Sequence, residues 1–472
     1  MASAAHHGPC DTLAATSRKG GTHGGAGTLA ATVLGSSLSF IDGSVVNVAL
    51  PAMARDLGAG AAGVQWIVNA YLLPLAALVL LGGALSDRLG RKRVFMAGTT
   101  LFTLASLICL AAPSLEVLIA GRVAQGLGAA LLVPASLAIL GTDFEGEARG
   151  RAIGTWAAAG AVAGAIGPIL GGWLVDAVGW RSIFAVILPV AAAALLLGWR
   201  YIDASQADEA AAPLDWRGAL LATIGLGLVT FGLTSAASGG GAMASGTMAA
   251  GLVACIPFLW IERRLGERAM VPLALFGTRT FTGVTLLTLF LYAALGGVLL
   301  LLPYLLIARG WAASAAGAAM LPLAILMGLG SRGAGRLAER IGARPMLSIG
   351  PLVTGAGFAW LARLPEGAID YWRDIFPAMM LIGIGMAIAV APLTTTVMTA
   401  VDEKHAGAAS GVNNATARIG TMLATALIGL ALTDGGAGVS TPAFHIAALA
   451  AASGAVLAGL SGWLLVGEKT AR

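Results

Sequence analysis

The stretch Gly83-Ala-Leu-Ser-Asp87-Arg88-Leu-Gly90-Arg91-Lys92-Arg93 places one acid and four cations in a short turn between two long apolar runs. Each run is long and apolar enough to cross the hydrocarbon core of a bilayer as a helix. The turn is therefore expected to lie at a membrane surface. Its cations place that surface in the cytoplasm, because short cytoplasmic loops of membrane proteins are enriched in Lys and Arg.

A variant of this turn returns in the second half of the chain, as Gly335-Arg-Leu-Ala-Glu339-Arg340-Ile-Gly342-Ala-Arg344. Glycine, leucine, an acid, arginine, glycine and a base recur in the same order and at the same spacing. Glu replaces Asp in the second copy, which keeps the negative charge. The chain is thus predicted to consist of two related halves, each with a basic turn on the same side of the membrane.

The composition indicates a membrane protein. Of the 472 residues, 58% are hydrophobic and only 11% are charged, whereas soluble domains carry roughly 25% charged residues. The formal net charge of +5 is explained by cations in short loops, so no nucleic-acid partner is expected. The sequence has no GxxxxGK(S/T) nucleotide-binding motif and no paired titratable groups in its apolar runs, which disfavours an ATP-driven pump and an enzyme.

Apolar runs with turn signals between them predict fourteen transmembrane helices. The predicted spans are 29–50, 63–86, 94–112, 115–140, 151–175, 181–201, 216–236, 244–263, 281–306, 312–332, 345–363, 374–400, 407–432 and 443–467. An even number of spans with both termini in the cytoplasm places most of the 28 Lys and Arg residues inside. Losing one helix would move the second basic turn outside.

A second repeat supports two six-helix bundles with two additional helices between them. Gly126, Gly128 and Pro134 of the fourth span align with Gly383, Gly385 and Pro392 of the twelfth. The predicted domains are a disordered cytoplasmic tail (1–28), a first six-helix bundle (29–202), two additional helices with their linker (203–264), a second six-helix bundle (265–467) and a cytoplasmic tail (468–472).

Two charged residues inside predicted spans, Asp42 and Arg122, are candidates for a functional role. Asp42 is in the middle of the first span, where an ionised carboxylate costs about 2.5–3.5 kcal/mol on insertion scales. It is either a proton carrier or anchor for a cationic substrate, or an acid paired with a neighbouring helix to fix packing. Arg122 in the fourth span keeps its charge and therefore needs an acid, a carbonyl group or water.

Five stretches together resemble the major facilitator superfamily, and within it the fourteen-helix branch of drug:proton antiporters. They are residues 38–51, 65–71, 83–93, 122–130 and 164–172. The resemblance implies the all-α major facilitator fold, with two six-helix bundles plus two extra helices. It also implies proton coupling by Asp42, Arg122 and Gln125. Because Met379 aligns with Arg122, coupling is expected mainly in the first half.

The resemblance assigns further candidate roles. It implies a cytoplasmic gating latch at the seam of the two halves, formed by Gly83, Asp87, Arg88, Gly90, Arg91 and Lys92, with Gly335, Glu339, Arg340, Gly342 and Arg344 as its second-half counterpart. The motif that the superfamily's exporters carry is matched by Gly164, Gly167, Pro168, Gly171 and Gly172, whose glycines leave a groove for a neighbouring helix.

Two further groups of residues have open alternatives. One group, in the second predicted span, is Trp66, Asn69 and Tyr71, which are candidates to line a substrate path. The alternative for the two aromatic residues is a position at the membrane interface. Arg418, near the start of the thirteenth span, lines the inner mouth of a path or makes loop contacts, as do the neighbouring residues 413 and 414.

The expected function is secondary active export of small organic molecules such as drugs or antibiotics from the cytoplasm across the inner membrane, by alternating access. The proton gradient is the expected energy source, and neither a cofactor nor a metal is expected. One alternative is a dedicated exporter of a single host metabolite or antibiotic. Another is a membrane receptor or scaffold without transport.

Overall fold

A computed structural model of the chain describes residues 22–204, 214–237, 239–402, 405–433 and 438–467. The first bundle contains α1 (Thr22–Leu57), α2 (Ala61–Leu89), α3 (Arg91–Ala111), α4 (Leu115–Asp143), α5 (Gly146–Ala177), α6 (Ser182–Ala185) and α7 (Ile187–Tyr201). A hairpin of α8 (Trp216–Ala237) and α9 (Gly241–Leu265) follows. The second bundle contains α10 (Arg279–Ala308), α11 (Ala313–Ala318), α12 (Leu321–Ile341), α13 (Ala343–Leu361), α14 (Phe376–Thr399), α15 (Ala406–Leu427) and α16 (Thr441–Leu465).

Twelve helical segments in the described ranges are long and apolar enough to cross a membrane. Helices suit this setting because they satisfy every backbone hydrogen bond internally, which lipid cannot do. The predicted spans 345–363 and 407–432 do form helices, α13 and α15, of 19 and 22 residues. Both are absent from the twelve. The structure therefore supports an all-helical membrane fold and leaves the count of fourteen spans as a prediction.

The two bundles repeat the same helix packing. In the first bundle α4 packs against α2 and α3, and α1 packs against α5 and α7. In the second, α14 packs against α12 and α13, and α10 packs against α15 and α16. The halves meet where α2 packs on α15 and where α5 packs on α11 and α12. This arrangement is the one expected for parallel repeats related by an axis along the membrane normal.

The aligned glycines have matching positions in the two bundles. A Cβ atom on Gly128 would lie 2.7 Å from the Phe102 backbone nitrogen of α3, and one on Gly385 would lie 2.5 Å from the Thr354 backbone nitrogen of α13. No real Cβ atom approaches a neighbour so closely. Glycine at these positions therefore lets the fourth helix of each bundle approach the third closely.

The two basic turns also share a backbone conformation. Gly90 separates α2 from α3 with φ of 95°, and Gly342 separates α12 from α13 with φ of 88°. Glycine adopts these angles without the steric cost that a side chain brings. The helices can therefore follow one another without a longer loop, and we call the end of the molecule that carries both turns the basic end.

The α8–α9 hairpin lies against the seam between the halves. α8 packs on α2 of the first bundle and on α15 of the second, whereas α9 packs mainly on α8. The Trp66 ring of α2 lies 6.3 Å from the Phe231 ring of α8. Large apolar side chains of α9 such as Ile256 and Trp260 remain exposed, as expected for a lipid-facing surface.

Several predicted boundaries differ from the structure. α1 begins at Thr22, so residues 22–28 are helical and do not belong to a disordered tail, while residues 1–21 and 468–472 lie outside the described ranges. The thirteenth predicted span ends early, because α15 stops at Leu427 and a two-stranded ribbon of β1 (Leu432–Thr433) and β2 (Gly438–Val439) follows. Glycine-rich sequence there does not favour a continued helix.

The matched glycines lead to a test of the repeat. We expect Gly128→Leu and Gly385→Leu each to lower the yield of folded protein several-fold, because the new side chain meets backbone atoms that cannot move aside. Gly154→Leu is the control, since a Cβ at Gly154 has nothing within 4 Å. Size-exclusion profiles of a fluorescent fusion in detergent measure the yield. Equal yields from all three variants would contradict the packing described here.

Candidate functional site

A buried ion pair joins the first and fourth helices. The Arg122 Nη1 atom donates to Asp42 Oδ2 at 2.6 Å and to Oδ1 at 2.8 Å. The Arg122 side chain is 1% exposed and the Asp42 side chain 0%. Arg122 Nε also donates to the Ile67 carbonyl of α2 at 3.0 Å. The cation thus has both an acid and a carbonyl partner, and it connects three helices.

Gln125 completes the polar cluster one turn along α4 from Arg122. Its Oε1 accepts from Arg122 Nη1 at 2.8 Å, and its Nε2 donates to Asp42 Oδ1 at 3.3 Å and to Ser106 Oγ at 2.9 Å. The amide can therefore hold the guanidinium and the carboxylate at the same time. The structure brings together all three residues that the sequence assigned to proton coupling.

Tyr71 covers the arginine from the side of α2. The Arg122 Cζ atom lies 4.5 Å from the centre of the Tyr71 ring, a distance at which the ring attracts a cation. The Tyr71 hydroxyl shares a hydrogen bond of 2.6 Å with Ser39 Oγ of α1. The cluster is neutral overall while Asp42 is ionised, because the carboxylate balances the charge of Arg122 and the amide, carbonyl and ring carry no net charge.

A cavity of about 190 Å³ lies between the halves beside this cluster. The first half lines it with Gly43, Val46, Asn47, Val68, Tyr71, Leu72 and Arg122, and the second half with Tyr292, Leu295, Gly296, Leu299, Leu300, Arg418, Thr421 and Thr425. The Asp42–Arg122 pair is thus connected to the cavity through Arg122 and Tyr71. A change in that pair can reach a molecule in the cavity.

The three candidate path residues of α2 have different surroundings. Tyr71 lines the cavity, whereas Trp66 and Asn69 are not among its lining residues. Trp66 contacts Phe231 of the hairpin. Asn69 is fully buried, and neither polar atom of its side chain has a hydrogen-bond partner in the described chain.

The basic turns hold each bundle together at the basic end. Asp87 pairs with Arg91 at 3.3 Å. The Lys92 ammonium donates to the carbonyls of Trp199 at 2.8 Å and Ile202 at 2.6 Å. The predicted latch between the two halves stays a prediction, and the contacts of Lys92 join the turn to the end of α7 in its own bundle. A cation is favourable there because carbonyls at a helix C-terminus lack partners.

The second turn repeats this contact. Arg344, which aligns with Lys92, donates from Nε to the Trp463 carbonyl of α16 at 2.8 Å and stacks on the Trp463 ring at 4.5 Å. Glu339 and Arg340 are exposed at the same end, as are Asp87 and Arg88 in the first turn. The repeated base therefore caps the last helix of its bundle in both halves.

The glycine motif of α5 contacts two different helices. A Cβ on Gly167 would lie 1.9 Å from Ser44 Oγ, and one on Gly171 would lie 2.4 Å from Val45 Cγ2, both of α1. These two glycines therefore let α5 approach α1 closely.

The same motif also contacts the second half. A Cβ on Gly172 would lie 2.3 Å from the carbonyl oxygen of Ala313, the first residue of α11. Gly164 faces open space, so it adds nothing to this groove. Pro168 is buried, and a Cβ on Gly317 of α11 would lie 2.1 Å from its carbonyl oxygen.

Two polar side chains, Asp176 and Gln65, join the halves at the end opposite the basic turns. Asp176 at the end of α5 accepts from the Ala313 backbone nitrogen at 3.1 Å, from the Ser314 backbone nitrogen at 2.9 Å and from Ser314 Oγ at 2.6 Å. Gln65 Nε2 near the start of α2 donates to the Ala426 carbonyl of α15 at 2.7 Å. Together with the close approach at Gly172, these contacts close that end.

Sequence reasoning missed the position of Arg418. It was placed near the start of its span, yet it lies past the middle of α15 and lines the cavity. Asn413, by contrast, accepts from Thr288 Oγ1 of α10 at 2.6 Å and acts in packing. The sequence did contain one sign that Arg418 differs from a loop cation. Neither α10 nor α15 contains an acid, so Arg418 has no charge partner on these helices.

The comparisons with known proteins agree with this architecture. The family model of the Major Facilitator Superfamily matches residues 32–425 and 284–471. The multidrug resistance protein Stp of Mycobacterium tuberculosis is 36% identical over 86% of this chain and 75% of its own length. The cephamycin export protein CmcT of Amycolatopsis lactamdurans is 36% identical over 85% of this chain and 83% of its own.

Two further similarities extend over more of the chain. The methylenomycin A resistance protein of Streptomyces coelicolor is 33% identical over 94% of this chain and 93% of its own length. A crystal structure of a mutant of the nucleoside transporter NupG has the same fold, with a TM-score of 0.64 and 13% identity over 93% of this chain and 100% of its own. The chain belongs to the Major Facilitator Superfamily of membrane transporters.

The ion pair gives a prediction about stability. We expect Asp42→Asn to lower the melting temperature in detergent more than Arg122→Gln does, because an arginine left without its acid stays charged, whereas a carboxyl group can take up a proton. The double variant should melt above Asp42→Asn, since the unpaired cation is gone. Purely additive changes in melting temperature would show that the two side chains do not interact.

Asp176 gives a prediction about the closed end. Asp176→Ala removes all three of its contacts to α11, so we expect that end to open more often. A cavity cysteine, Val46→Cys in a chain freed of its native cysteines, should then react several-fold faster with an impermeant maleimide added opposite the basic turns. Asp56→Ala is the control, because Asp56 accepts from Trp180 and Arg181 within the first bundle at the same end. Unchanged or equal rates in both variants would refute this role for Asp176.

Proposed function

We propose that this chain exports small organic molecules, including drugs or antibiotics, from the cytoplasm in exchange for protons. The observation that carries the proposal is the buried Asp42–Arg122–Gln125 cluster, which meets a cavity between two pseudo-symmetric bundles through Arg122. Relatives named for multidrug resistance, cephamycin export and methylenomycin A resistance support the choice of substrates.

The proposal includes a topology of fourteen spans. α13 and α15 pack inside the second bundle at the positions that α3 and α5 occupy in the first, so they should cross the membrane despite their lower hydropathy. The basic end then faces the cytoplasm, because Lys and Arg of short loops remain inside. The protein would lie in the inner membrane, with both termini in the cytoplasm.

The polar cluster suggests how a proton could be coupled to a conformational change. While Asp42 is ionised, it holds Arg122 and keeps α1 joined to α4. A proton on Asp42 removes the charge that Arg122 binds, so the guanidinium keeps only Gln125, the Ile67 carbonyl and the Tyr71 ring. Since Arg122 and Tyr71 line the cavity, loss of the pair changes the environment of a bound molecule.

Alternating access also requires contacts that break. The closed end is held by hydrogen bonds from Ala313 and Ser314 to Asp176 and from Gln65 to the Ala426 carbonyl. This end would face the outside. Contacts of this kind make a two-state element, as hinge or rocking transitions need. Release of the substrate to the outside would require them to open while the basic end closes.

A second candidate is a dedicated exporter of one metabolite or antibiotic made by the host. The relative named cephamycin export protein favours it, and the fold is the same for both. A resistance panel separates them, since protection against many unrelated compounds indicates broad export and protection against one indicates a dedicated pump.

The proposal is tested by a pH-gradient assay in inverted membrane vesicles. We expect compounds that the protein exports to release protons from acidified vesicles, as read by a fluorescent pH reporter. Asp42→Asn should abolish this release, because it cannot bind and release a proton, and Asp42→Glu should keep part of it.

Both variants must be compared at equal amounts of folded, inserted protein, checked by size-exclusion profiles. Coupled export by Asp42→Asn at the rate of the unaltered protein would refute the carrier role of Asp42. It would leave the acid with the packing role alone.

A further inference from the structure

Charge in the cavity is unevenly distributed between the halves. Arg122 of the first half is neutralised by Asp42, which binds it with both oxygens. Arg418 of the second half makes no ion pair and no hydrogen bond within the described ranges. Among the described residues, none of those that line the cavity is Asp or Glu. The cavity therefore carries one uncompensated positive charge.

The helices that surround Arg418 explain why its charge has no partner. α10 and α15, which supply all the lining residues of the second half, contain no acid at any position. Met379 is fully buried where the first half has Arg122, so no counterpart of the buried arginine occupies that position. An arginine cannot lose its proton at this site, and a charge inside a membrane protein needs a partner.

The other polar groups of the cavity differ in whether they are already used. Thr421 Oγ1 donates to the Ala417 carbonyl at 3.1 Å, and Thr425 Oγ1 donates to the Thr421 carbonyl at 2.9 Å. Asn47 and the Tyr292 hydroxyl make no side-chain hydrogen bond in the described chain. Free donors thus remain at Arg418, Asn47 and Tyr292, all of which line the cavity.

The rest of the lining is apolar. Val46, Val68 and Leu72 lie on one side, and three leucines of α10 (Leu295, Leu299 and Leu300) lie on the other. A volume of about 190 Å³ is below the range of roughly 300–1,000 Å³ that is usual for drug-sized ligands. The site therefore suits a compact molecule with an apolar body and one charged end.

From these observations we infer that the cavity binds organic anions, with a carboxylate or similar group of the substrate held by Arg418. This inference rests on the proposed export function and names the substrate class of that site. The planar guanidinium can give two parallel hydrogen bonds to a carboxylate. Tyr292 and Asn47 supply further donors, and the leucines of α10 cover the apolar body. A cationic substrate meets repulsion from Arg418 and finds no free carboxylate.

Three isosteric probes test the charge preference: 1-naphthoate, 1-naphthamide and 1-naphthylmethylammonium, which are anionic, neutral and cationic. Each is added to the purified full chain in detergent, and the rise in melting temperature gives its affinity, since a ligand of the folded state stabilises it. We expect the anion to bind about tenfold or more tightly than the amide, as charge-assisted hydrogen bonds do relative to neutral ones.

Variants assign the preference to Arg418. Arg418→Gln should weaken naphthoate binding about tenfold or more and leave naphthamide binding unchanged, while Arg418→Lys should keep part of the preference. Arg336→Gln is the matched control, because it removes the same charge from an exposed position outside the cavity. It should bind all three probes as the unaltered chain does.

The outcomes separate an anion-binding cavity from one without a charge preference. Equal binding of the three probes, no binding of naphthoate, or naphthoate affinity unchanged in Arg418→Gln would overturn it. The proposed export function is judged separately by the vesicle assay. Export of cations without naphthoate binding would refute only the anion site, and naphthoate binding through Arg418 without any proton-coupled export would refute only the export function.

Discussion

The Asp42–Arg122 ion pair is the constraint on which the rest of the first bundle depends. Two charges are taken out of water, and that cost is offset only if both are fully partnered. The partners come from three helices: Asp42 from α1, the Ile67 carbonyl and Tyr71 ring from α2, and Gln125 from α4. Because so many groups must meet at one point, the relative positions of these helices are fixed. The same pair contains Asp42, whose charge a proton can change, and it meets the cavity through Arg122.

The two ends of the molecule are held by different physical means. At the basic end, the aligned bases Lys92 and Arg344 donate to backbone carbonyls of the last helix of their own bundle. Lys92 caps α7 and Arg344 caps α16. At the opposite end, Asp176 and Gln65 reach across to backbone groups of the other bundle. Contacts within a bundle can persist while the bundles move, whereas contacts between bundles must break. The first kind therefore supports rigid halves, and the second kind is where a transporter of this fold can open.

The repeat conserves packing more than it conserves charge. Matching helix pairs and matching glycines, such as Gly128 and Gly385, show that both bundles are built in the same way. The buried charges are different: the first half has a neutral pair, and the second has Met379 at the aligned position and the lone cation Arg418 in α15. In the proposed mechanism the first half accordingly binds and releases the proton, through Asp42. The second half, through Arg418, holds the charged end of the substrate.

The sequence by itself determined the helical membrane architecture, because apolar length and the placement of cations depend on local composition. Charges inside apolar spans have few ways to be satisfied, so the sequence also singled out Asp42 and Arg122, and its resemblance to the superfamily added Gln125 to them. It could not show that the basic turns bind their own bundles, that Trp66 contacts the α8–α9 hairpin, or that Arg418 faces the cavity. Those facts depend on which helix faces approach each other. Residues far apart in the chain, such as Asp176 and Ser314, become partners only when the two bundles pack, and no local pattern encodes that geometry.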